Sequence, residues 1–172
     1  MNFWEILIVL AVLVSVGAVA LFLQRRRHQS RLRPDIGLAD VRGCVVTLLE
    51  QGYDLGFVAF ILPGEDRFVE FSKYIREERE TGIQLDFPKA SWAGPYYEQV
   101  KSLLEARGIA YHVEDTPDGP VREFIQADLG RDVDLAAELA REIFVRVFKT
   151  APEVRISAEF EHVNPATRGA RN

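Results

Sequence analysis

The chain has 172 residues, a formal net charge of −5, and 48% hydrophobic and 27% charged residues. That balance excludes wholesale disorder, and the length suits one ordinary domain with an appendage. Its single cysteine, Cys44, excludes an internal disulfide framework and a cysteine-rich zinc site.

Residues 6–23, ILIVLAVLVSVGAVALFL, carry no charge, whereas residues 24–34, QRRRHQSRLRP, carry five arginines and no acid. Of the 21 Lys+Arg, 16 lie beyond residue 34, as do all of the 26 Asp+Glu except Glu5. Residues 35–172 therefore stand at about −9 behind a +5 collar. So acidic a domain repels phosphate backbones, and nucleic acid is not an expected partner.

The apolar run is expected to be a transmembrane helix, since its length at 1.5 Å per residue is roughly 27 Å, close to a hydrocarbon core. Phe3 and Trp4 suit an interface, and Gly17, Ala18 and Ala20 offer a small-residue patch for helix packing. Positive charge flanks only its C-terminal side. The expected location is thus a bacterial inner membrane, single-pass, with the N-terminus outside and the domain cytoplasmic. Arg25, Arg26, Arg27, Arg31 and Arg33 would set this topology or touch anionic lipid headgroups, making membrane lipids an expected partner. A cleaved signal peptide ending at Ala18-Val19-Ala20 is the weaker reading, because MNFWE has no Lys or Arg. The expected organisation is an anchor at 1–23, a basic linker at 24–34, an α+β domain at 35–163 and a tail at 164–172.

In the domain, Leu38, Val41, Val45, Leu48 and Leu49 share one helical stripe, which Gly52 ends. GFVAFIL (56–62) and RFVEFSKY (67–74), joined through Pro63-Gly64, read as a β-hairpin. GIQLDF (82–87) alternates as a half-buried third strand. Pro95 opens a second helix through Val100, Leu103 and Leu104 to Gly108. Ile109, Tyr111 and Val113 mark a fourth strand, and residues 121–127 a fifth after the turn-rich DTPDGP. Asp132 caps a third helix over 133–149, and EVRISAEFEH (153–162) alternates as an extra C-terminal strand. The expected fold class is α+β: a single transmembrane helix, then an antiparallel sheet of five to six strands with three helices on one face.

No catalytic residues, cofactor or metal ligands emerge. His28, His112 and His162 lack ligand-spaced neighbours, and the His112–Glu114 pair reads as solvated surface. The carboxylates at Glu77, Glu78 and Glu80 and at Glu114, Asp115 and Asp118 fall in turns rather than a cleft. Glycine-rich phosphate loops and nucleophile elbows are absent. Cys44 reads as a small core residue. The aromatics Phe57, Phe60, Phe68 and Phe71 crowd the first hairpin and form the candidate partner surface, because both faces of its strands carry apolar residues.

The order of elements resembles the type III secretion chaperone-like fold, including the TY-Chap or YbjN-like domains. GFVAFILPGEDRFVEFSKY, GIQLDFP and REFIQADLGRDVDLAAELAREIFVRVFKTAPE carry the resemblance, over roughly residues 38–152. It implies a non-enzymatic, often homodimeric protein-binding domain without transferable site residues. The functional expectation is a membrane-tethered protein-binding or assembly module for a client protein. The alternative is an accessory subunit of a larger bacterial membrane complex.

Overall fold

The structure is a computed structural model that describes residues 31–77, 80–115 and 123–163. Seven strands form one sheet in the order β1-β7-β2-β3-β4-β6-β5, every neighbouring pair antiparallel. They are β1 (Arg31–Gly37), β2 (Gly52–Ile61), β3 (Phe68–Ile75), β4 (Thr81–Pro88), β5 (His112–Asp115), β6 (Glu123–Asp128) and β7 (Arg155–Val163). The helices are α1 (Val41–Gln51), α2 (Gly94–Ala106) and α3 (Val133–Glu142).

The expected fold class is corrected in two respects. Among the described residues no helix is long and apolar enough to cross a membrane, so they give no support to the single-pass membrane reading. The transmembrane helix expected at 1–23, with Arg25, Arg26 and Arg27, lies outside the described residues. The sheet also has seven strands rather than five or six. The additional one, β1, takes in the end of the expected linker, residues 31–34, and the first three residues of the expected domain. It forms because β7 offers it an edge, with Leu32 opposite Glu159 and Ile36 opposite Ile156. Pro34 is tolerated at this outermost position, where no further strand needs its missing N–H.

Each helix contributes one apolar stripe. Val41, Cys44, Val45, Leu48 and Leu49 of α1 are buried, as are Tyr97, Val100 and Leu104 of α2 and Ala136, Leu139 and Ala140 of α3. Asp132 caps α3 by accepting the Leu135 N–H at 2.9 Å. The helix expected to run through residue 149 changes period at Ile143–Val147, a π turn in which the Phe148 N–H reaches the Ile143 carbonyl at 2.8 Å. At the end of α1, the buried Lys73 of β3 donates to the carbonyl of Leu49 in the last turn at 2.7 Å and to that of Gly52 just beyond it at 2.8 Å, a cation at the helix C-terminus.

Period-2 alternation decides which sheet face these helices cover. Val58, Phe60, Val69, Phe71, Ile83, Leu85, Phe87, Ile125, Ala127, Ile156, Ala158 and Phe160 belong to one core with the helices. Phe57, Ile61, Phe68 and Phe124 point the other way and lie outside that core. In the β2–β3 turn, Gly64 takes φ 77°, the left-handed conformation a Pro-Gly turn requires. At Gly82 an added Cβ would collide with the Tyr74 hydroxyl, so only glycine lets that tyrosine lie across β4.

Candidate interaction surface

The antiparallel registers align the outward residues in rows across the sheet face that no described helix covers, the helix-free face. The middle row crosses all seven strands as Leu32, Glu159, Ala59, Glu70, Asp86, Gln126 and His112. On one side lies an apolar row. Ile61 faces Ser157 and Phe68, Phe124 faces Pro88 and Glu114, and Phe68 and Pro88 continue the β3–β4 register two residues beyond Glu70 and Asp86. On the other side run Glu161, Phe57, Ser72, Gln84 and Asp128. Ile61, Phe68, Phe124 and Phe57 are half-buried, which leaves part of each ring or aliphatic chain exposed, with no described helix above. The Phe68 ring leans on Trp92, 5.2 Å between centroids, where the loop after β4 wraps the sheet end.

The candidate aromatics thus separate into two sets. Phe60 and Phe71 are fully buried in the core, so neither can meet a partner. Phe57 and Phe68 lie on the helix-free face. Helix α1 packs with the Val58 and Phe60 side of β2, which resolves the choice between the two hairpin faces. Arg33 stacks over the Phe160 ring at 5.1 Å, a structural contact of a collar residue.

The three rows contain six carboxylates and, among these described residues, no lysine or arginine. Most of the acids are satisfied locally. Asp86 is buried and accepts from Ser72, from Gln126 at 2.8 Å and from Gln84 at 3.0 Å. Burial pushes its carboxyl up, and these three donors pull it back. Asp128 accepts from the Tyr74 hydroxyl and from Arg76, each at 2.7 Å. Glu114 lies 3.7 Å from His112, with both side chains at least half exposed, which agrees with a solvated pair. Glu161 has His162 at 3.7 Å. Glu70 and Glu159 differ, because neither has a hydrogen-bond donor or cation among the described residues. Burial first, then Asp86 and Glu161, pushes the Glu70 carboxyl up to about 8.

Away from this face, Cys44 and one surface depression carry the other groups of chemical interest among the described residues. Cys44 is buried, and burial raises its thiol, which disfavours the nucleophilic thiolate. A depression of about 400 Å³ between α2 and the π turn has Glu98 and Arg146 at its rim. Both are already paired, with Lys101 at 3.3 Å and Glu142 at 3.1 Å. Among the described residues no cluster of three or more His, Cys, Asp or Glu side chains could hold a metal ion. Nothing in the sequence marked Glu70 as unusual, because its environment comes from strands distant in the chain.

No known protein family, curated protein or solved structure matches this chain.

Proposed function

We propose that the domain is a non-enzymatic protein-binding module that docks its partner on the helix-free sheet face. The observation that carries this reading is the apolar row Ile61–Phe68–Pro88–Phe124, which crosses β2, β3, β4 and β6 at one end of the sheet, with Ile61, Phe68 and Phe124 half-buried around a buried Pro88 and no described helix above them. Contiguous apolar surface on a sheet face marks interaction sites, and aromatic residues are enriched at interface cores. The resemblance of residues 38–152 to chaperone-like domains adds support, since those domains bind proteins through apolar sheet or helix surfaces.

Combining Ile61→Thr with Phe124→Thr tests the reading by affinity purification of the full chain from its native cells. Both side chains are half-buried and outside the core, so the melting temperature is expected to stay within a few degrees. Recovery of specifically co-purifying protein is expected to fall at least tenfold. Ser102→Arg, on the exposed side of α2, is expected to leave it unchanged. Equal recovery from the double variant, or equal loss from Ser102→Arg, would overturn the proposal.

A further inference from the structure

Resting on that reading, we infer that the partner offers a basic extended segment, one of whose Lys or Arg side chains seats over Ala59 between Glu159 and Glu70. Ala59 is opposite Glu159 on β7 and opposite Glu70 on β3. Its methyl is the shortest side chain of the middle row and is 7% exposed, the floor of a narrow notch between taller neighbours. Strands pack about 4.8 Å apart, so the two glutamates rise about 10 Å apart on either side of it. Phe57 and Ile61, two residues before and after Ala59 on β2, wall the other two sides with an aromatic ring and an aliphatic chain. A long cationic side chain fits such a notch, with its methylene stem against Phe57 and Ile61 and its charged head between the Glu159 carboxylate and the Glu70 carboxyl, whose ionised form the cation favours. A ring beside the head adds a cation–π contribution.

Charge complementarity selects this occupant over the others. A second copy docked through the same face would set one acidic surface, with Glu159, Glu161 and Asp128, against another, and like charges in an interface cost several kcal/mol. Anionic lipid headgroups and nucleic acid meet the same repulsion. A neutral apolar segment would cover the Ile61–Phe124 row but would leave Glu70 and Glu159 desolvated without partners. A basic segment with alternating apolar residues satisfies both rows at once.

The test titrates the full chain with a fluorescent, end-capped peptide of alternating arginine and valine, and with its glutamate–valine counterpart. The arginine peptide is expected to bind and the glutamate peptide not. Glu70→Gln combined with Glu159→Gln is expected to weaken binding at least tenfold, while Glu153→Gln, which removes one carboxylate on an exposed turn, is expected to stay within twofold. An equal loss from Glu153→Gln, or indifference to the double variant, overturns the inference by reducing the attraction to overall charge. If the arginine peptide fails while Ile61→Thr/Phe124→Thr still releases a co-purifying protein, the partner chemistry is wrong and the docking face stands. If both fail, the docking face falls as well.

Discussion

Phe87→Ala is expected to lower the unfolding free energy by about 3–5 kcal/mol, the usual cost of emptying a fully buried aromatic site. Phe87 has no exposed surface and sits where three elements meet. Its ring lies 5.8 Å from Trp92, 6.5 Å from Tyr97 on α2 and 6.2 Å from Phe148 after the π turn. These neighbours belong to different segments of backbone and cannot all collapse into the space, so the cavity cost adds to the lost burial. Phe57→Ala removes the same ring from the helix-free face and is expected to cost about 1 kcal/mol or less, in line with a half-buried site. Urea unfolding at constant slope measures both. Equal losses would mean that the helices cover the other face of the sheet.

Glu70→Gln is expected to stabilise the domain at pH 8 by of order 3 kcal/mol and to change little at pH 5. The unfolded carboxyl titrates near 4.5, whereas burial beside Asp86 and Glu161 holds the folded one up to about 8. Between those values the folded state keeps a proton that the unfolded state has released. The contribution is therefore complete below pH 4.5 and declines by about 1.4 kcal/mol per unit as pH rises, until the folded carboxyl ionises near pH 8. Glutamine keeps the shape and removes the titration, so the variant's stability profile should flatten over this window. Denaturation curves collected from pH 5 to pH 8.5 for both proteins give the comparison. Parallel profiles would show that Glu70 is ordinary solvated carboxylate. A cation seated beside Glu70 would relieve the same cost, which links the pH behaviour of the free domain to the proposed occupant.

Much of the fold is legible in short-range pattern. Ile83, Leu85 and Phe87 alternate against Gln84 and Asp86, and the strand forms there. Asp132 and Pro95 mark helix starts through local chemistry that needs no tertiary information. What was missed depends on distant partners. The polar RLRPDIG becomes β1 only because β7 supplies hydrogen bonds and Phe160 supplies a ring for Arg33. The fourth strand was expected from Ile109 but begins at His112, where pairing with β6 begins. Helical spacing through Phe148 gives no warning of the π turn, which the Thr150 hydroxyl and N–H stabilise by both donating to the Phe144 carbonyl.

The candidate surface was half legible for the same reason. Aromatics on both faces of the first hairpin mean that local alternation cannot say which face the helices take. The register with β4 and β7 decides it, sending Phe60 and Phe71 inward and leaving Phe57 and Phe68 outside. Ala59 reads as an unremarkable strand residue until Glu159 and Glu70 are seen on either side of it.

The most direct measurement places a photo-crosslinking residue at Ile61, at Phe124 or at Ser102 in the full chain and irradiates native cells. Crosslinks to a distinct protein from Ile61 and Phe124, and none from Ser102, are the predicted result. No protein crosslink from either sheet position, or one that appears only from Ser102, would contradict a docking surface on the helix-free face.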